Sequence, residues 1–109
     1  PVAPKPVDAA DAERMRRGAR VFESRQCGLC HIPPLVFTSH ESYDVGLSDE
    51  RGLRKFNPPS LRGASQLPRL LHDNRAASLK EVFTKHAHPN DATYSAEEVE
   101  ALVRYLEAI

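Results

Sequence analysis

No tryptophan occurs in this chain of 109 residues, aromatic side chains make up only 6% of it, and there is one methionine. So little aromatic bulk leaves a small domain short of core, and such domains usually need a staple. Two cysteines are too few for a disulfide scaffold. Net charge is also missing, with fifteen basic and fifteen acidic residues, which argues against a general nucleic-acid binder. No apolar run approaches the length of a membrane span, and no secretory signal pattern is present. The chain opens on Pro1, the expectation for a processed form or an excised domain. Its length suffices for one compact domain and not for two.

Proline, by contrast, is abundant: nine residues imply long ordered loops between short regular elements. Residues 1–10 read as a Pro-rich linker and residues 11–109 as the domain. A first helix is expected from about Ala9 to Phe22, where Ala12, Met15, Ala19 and Phe22 mark one face and Gly18 beside them permits close helix packing. From His31 to Leu71, Pro33, Pro34, Pro58, Pro59 and Pro68 leave room for helical turns at most, near Ser48 to Leu53. Ser78 and Glu81 form a capping pattern before Leu79, Val82, Phe83 and His86, which share one helical face. Ser95 and Glu98 repeat that pattern before the apolar stripe Val99, Leu102, Val103, Leu106 and Ile109, and this last helix is expected to pack on the first. Arg14, Arg16, Arg17, Arg20 and Arg25 crowd the N-terminal part, and Asp91, Glu97, Glu98, Glu100 and Glu107 the C-terminal part. They read as two solvated faces, with a dipolar molecule steering toward a charged redox partner as the alternative.

The chemistry lies in Cys27-Gly28-Leu29-Cys30-His31. Two thiols two residues apart can add to the two vinyl groups of one haem, and a histidine next to the second is then held under the iron as an axial ligand. A zinc site would need a second ligand pair at finger-like spacing, and His86 and His88 are too close together for that. A thioredoxin-like redox pair would need alternating strands and helices, which the pattern lacks. Candidates for the sixth ligand are His40, His72, His86 and His88, since Met15 reads as a core residue of the first helix. His86 comes first because it shares a face with Leu79, Val82 and Phe83. His88 comes next: it lies two positions on and precedes Pro89, which disfavours helical geometry. His40, in a polar loop, and His72, beside Asp73 in a pairing suited to a supporting hydrogen bond, follow.

Several stretches carry a family resemblance. Gly18 to Phe22 looks like the first helix of class I cytochromes c. The segments CGLCHIPPLVFT (27–38), YDVG (43–46), FNPPSLRG (56–63) and LHDNRAASLKEV (71–82) resemble the C-terminal haem domain of bacterial di-haem cytochrome c peroxidases and their MauG-like relatives. The resemblance implies an all-α, loop-rich domain of class I-like cytochrome c fold, three to five helices wrapped around one covalent haem c with its iron. It implies His86 at the position of the sixth ligand, Arg62 near the haem propionates and His72 in a supporting position. It also implies maturation outside the cytoplasm, hence a periplasmic or exported location. Asn74 stands where the family has glycine, and Pro68 lies one place earlier than the family's proline relative to His72. The family's enzymes use two haems and this chain has one attachment motif, which argues against a peroxidase reaction by this chain alone. The expected function is electron transfer through a haem bound by Cys27, Cys30, His31 and His86. The expected partner is a redox protein or a fused catalytic domain, with no nucleic acid and no membrane span. A peroxidase-like enzyme fragment or a gas or redox sensor is the alternative.

Overall fold

A computed structural model describes residues 4–109; the first three residues of the expected linker lie outside the described residues. Helix α1 spans Ala9–Ser24. Asp8 caps it by accepting the Asp11 amide at 2.8 Å, and the Asp11 carboxylate in turn accepts the Val7 amide at 3.1 Å. Helix α2 spans Leu79–Thr84 behind its N-cap Ser78. Helix α3, Ala96–Glu107, starts with a complete capping box in which Ser95 and Glu98 satisfy each other's amides.

Helices α1 and α3 form the main seam. Val21 and Phe22 of α1 meet Val99, Leu102 and Leu106 of α3, and Leu79, Val82 and Phe83 of α2 complete one core with Phe37. Gly18 is buried at the crossing, where a Cβ would lie 2.0 Å from the Ala101 carbonyl oxygen. Only a residue without a side chain lets the two backbones approach so closely. The charge clusters meet across the same seam: Arg14 Nε lies 2.9 Å from Glu100, and Arg25 grips Glu98 at 2.8 and 3.0 Å. The basic and acidic faces thus neutralise each other in part, which reduces the dipole that the sequence suggests.

At the far end of the seam Arg104 reaches Asp11 with two hydrogen bonds of 2.8 and 2.9 Å, both side chains buried, and also donates to the Lys5 carbonyl at 3.3 Å. The end of the expected linker is therefore fastened to α3. The Arg104 guanidinium pulls the Asp11 carboxyl down to about 2, against the opposing effect of burial. A carboxyl held below its usual value stabilises the fold above about pH 4, and that contribution drains away as pH falls through 4 toward 2. Asp11→Asn is therefore expected to lower the thermal midpoint at neutral pH and to flatten its decline between pH 4 and 2. Unfolding curves across that range check this; an unchanged acid profile would show that the pair contributes nothing.

The expectation of an all-α domain is corrected by a two-stranded antiparallel ribbon, β1 (Tyr43–Asp44) and β2 (Lys55–Phe56), with Tyr43 opposite Phe56 and Asp44 opposite Lys55. Among the described residues the fold is a mixed one, three α-helices with this ribbon and short 3-10 turns at Cys27–Leu29, Pro33–Leu35 and Ala64–Gln66. Two residues per strand are too few to show an alternating pattern. The ribbon is fixed from outside instead: Asn57 donates to the Ser39 and Glu41 carbonyls at 2.7 and 2.8 Å, and Arg54 pairs with Asp44 at 3.2 Å. Ser48 to Leu53 forms the hairpin loop rather than a helical turn, because the Asp49 carboxylate accepts the amides of Arg51 and Leu53.

Candidate functional site

The attachment-type segment begins where α1 ends. Gln26 takes a left-handed conformation (φ 59°), and the chain then winds into the 3-10 turn at Cys27, with the His31 amide bonded to the Cys27 carbonyl at 2.9 Å. Burial pushes the Cys27 thiol up to about 11 and raises Cys30 as well. A redox-active pair needs at least one thiol shifted the other way, so these sulfurs are poor thiolate nucleophiles.

His31 is held by two loops. Beyond it the chain makes the 3-10 turn at Pro33–Leu35 and then reverses through Val36 and Phe37, both at φ 59°. A β-branched residue rarely adopts that conformation. The reversal brings the Phe37 carbonyl back to 3.2 Å from His31 Nδ1, and the Pro59 carbonyl sits at 3.2 Å from the same nitrogen. Thr38 donates to the Pro58 carbonyl and Ser60 to the Val36 carbonyl, stitching the two loops together. Carbonyl oxygens only accept, so Nδ1 carries the proton and Nε2 of the neutral ring keeps its lone pair.

The ring that faces His31 is that of His88, with centroids 6.4 Å apart and planes at 66°. This departs from the expectation centred on His86. Helix α2 stops at Thr84, two residues before His86. The amide of His86 bonds to the Glu81 carbonyl and that of His88 to the Val82 carbonyl, spans of five and six residues that unwind the helix. Ala87 then takes a left-handed conformation (φ 46°) and turns His88 toward the core. Burial, with a smaller effect from His31, holds His88 down at about 4, and burial lowers His31 too. Both rings are therefore neutral near pH 7. Nδ1 of His88 and Nε2 of His86 are buried without a hydrogen-bond partner, which costs stability unless something else engages them.

The remaining sequence candidates lie elsewhere. His72 stacks on Phe56 at 4.5 Å; its Nε2 is 3.9 Å from Asp73, too far for a hydrogen bond, because Arg75 occupies that carboxylate at 2.7 Å. Arg62 and His40 are exposed, and Met15 is half-buried on α1. Leu29, Leu35 and Val36, in the turns on either side of His31, leave much of their apolar surface uncovered at 65, 37 and 45%.

Two supporting groups had no sequence signal: the carbonyls of Phe37 and Pro59 are backbone atoms, and their approach to His31 depends on the left-handed pair at 36 and 37. Tyr94 is a third, with its hydroxyl donating to the His88 carbonyl at 2.8 Å. Two imidazoles sharing a metal through one nitrogen each, at about 2.0 Å, place their ring centres roughly 6.3 Å apart. Among the described residues no cluster of three or more His, Cys, Asp or Glu side chains forms a metal cage. No helix of the described residues is long and apolar enough to cross a membrane. No family model, curated protein or solved structure matches the chain.

Proposed function

We propose that this domain binds one haem covalently through Cys27 and Cys30, with His31 and His88 as axial ligands, and transfers single electrons. The observation that supports this most is the 6.4 Å separation of two neutral imidazoles, one of them immediately after a CxxCH pair. Ordinary aromatic packing spans that distance too. The tautomer lock on His31 adds independent support, since it leaves the Nε2 lone pair available for ligation.

When bound, haem supplies a one-electron couple at its iron. The chain's own residues do the rest. Phe37 and Pro59 orient His31 and make its other ring nitrogen a stronger donor by accepting hydrogen bonds from Nδ1–H. His88 fills the opposite side, so no position is left for a substrate, and two nitrogen ligands favour a lower potential than a histidine–methionine pair. Leu29, Leu35 and Val36 offer apolar surface for the ring edge and for a weakly bound partner. That partner is a redox protein or a catalytic domain fused to this one, and the location is periplasmic or otherwise exported, where such attachment matures.

Expression with a haem-attachment system tests the reading. The expected product is coloured, keeps its colour on the chain after acid–organic extraction, and shows a low-spin six-coordinate ferric spectrum. Cys27→Ala with Cys30→Ala is expected to release the pigment. Colourless protein, or pigment that extracts from the native chain, would overturn the assignment.

A further inference from the structure

The loop that carries His88 needs something to hold its ring against His31, because α2 has already ended and the chain there runs through left-handed residues at Ala87, Asn90 and Asp91. One side chain reaches back to that backbone from six residues downstream, and Arg25 ties it to the end of α1. The Tyr94 hydroxyl donates to the His88 carbonyl at 2.8 Å. Its ring is fixed on both sides: Phe83 meets it edge-on at 5.2 Å, and the Arg25 guanidinium lies 4.5 Å above its centre. Arg25 is itself immobilised by Glu98 at 2.8 and 3.0 Å and by the Thr93 carbonyl at 2.7 Å. It also lies two residues before Cys27, at the C-cap of α1.

We propose that Tyr94, clamped by Arg25, is the positioning residue for His88: a strut from the chain that carries Cys27 to the loop that carries the opposing imidazole. The proposal rests on the reading of His31 and His88 as an axial pair and adds what sets the strength of the second ligand. A hydrogen bond to a carbonyl does not touch the metal. It restrains the main chain from which the ring projects, so its loss lets the ring leave more often.

The test uses the haem-loaded protein. Tyr94→Phe keeps the ring, and with it the contacts to Phe83 and Arg25, but removes the hydroxyl. Carbon monoxide can bind the ferrous form only after His88 departs, so its rate of binding reports how firmly His88 is held. Tyr94→Phe is expected to raise that rate about tenfold, the scale on which supporting hydrogen bonds act on metal ligands. A residue with a purely structural role would lower the thermal midpoint and leave this rate unchanged. Should Tyr94→Phe fail to fold, Arg25→Lys, which retains charge but loses the flat stacking, is expected to raise the rate in the same way.

His88→Ala, measured alongside, separates the two levels of the argument. If it remains low-spin, the axial pair is misassigned and the strut falls with it. If it becomes high-spin while folded Tyr94→Phe, or folded Arg25→Lys in its place, binds carbon monoxide at the wild-type rate, the axial pair stands and the strut is wrong.

Discussion

Alanine at position 88 is expected to abolish the low-spin six-coordinate spectrum of the haem-loaded ferric protein, while alanine at position 86 leaves it in place. The two histidines are two residues apart and both present a buried ring nitrogen without a hydrogen-bond partner, so burial does not separate them. Geometry does: the His88 ring stands 6.4 Å from that of His31. In His88→Ala the ferrous form is expected to bind carbon monoxide faster by more than the roughly hundredfold that loss of a supporting residue can cause. Added imidazole should restore the low-spin bands by occupying the vacated side. Absorption and electron paramagnetic resonance spectra at neutral pH decide between the two positions. A low-spin His88→Ala together with a high-spin His86→Ala would return the role to His86 and contradict the arrangement described above.

Gly18→Ala is expected to be the most damaging single-methyl change in the helical seam. Its new Cβ would meet the Ala101 carbonyl oxygen at 2.0 Å and Tyr105 Cβ at 2.5 Å. These are backbone and near-backbone atoms, so no rotamer change relieves the clash and the helices must part. Overpacking of this kind costs about 3 kcal/mol, against about 1 kcal/mol recovered because alanine favours a helix over glycine. The net loss corresponds to a fall of roughly 10 °C in the thermal midpoint for a domain of this size. Because α1 leads directly into Cys27, parting the helices also moves the attachment segment, so haem incorporation should fall with stability. A midpoint at or above the wild-type value would show that the crossing is looser than described.

Local signals in the sequence were good guides wherever the deciding contacts are local. Asp8, Ser78 and Ser95 cap the helices within a few residues of their own positions, so the capping patterns at Ser78 and Ser95 and the apolar stripe of α3 are legible from the chain alone. Gly18 was legible for the same reason, as the small residue beside an apolar stripe. The ribbon was not, because its two short strands are fixed by Asn57 and Arg54 reaching across the intervening loops. His86 ranked above His88 on the assumption that α2 runs on in regular turns. The left-handed step at Ala87, which nothing in an alanine announces, breaks that periodicity and sets the His88 ring opposite His31. Arg62 came from family resemblance, and His72 from that and from its place beside Asp73; one side chain is in solvent and the other stacks on Phe56.

The double attachment of Arg25, to the Thr93 carbonyl and to Glu98, has a consequence for how the molecule can vary. It ties the start of the segment from Gln26 to Ala92 to its end, and within that segment the loop from Asp49 to Leu53 is closed by its own bonds to the Asp49 carboxylate. Closure entropy rises only with the logarithm of length, about 0.6 kcal/mol for each doubling. Residues can therefore be added in that loop, where Leu53 is already exposed, at small thermodynamic cost. Length can therefore vary at the hairpin loop while the carbonyls of Phe37 and Pro59 keep their hold on His31.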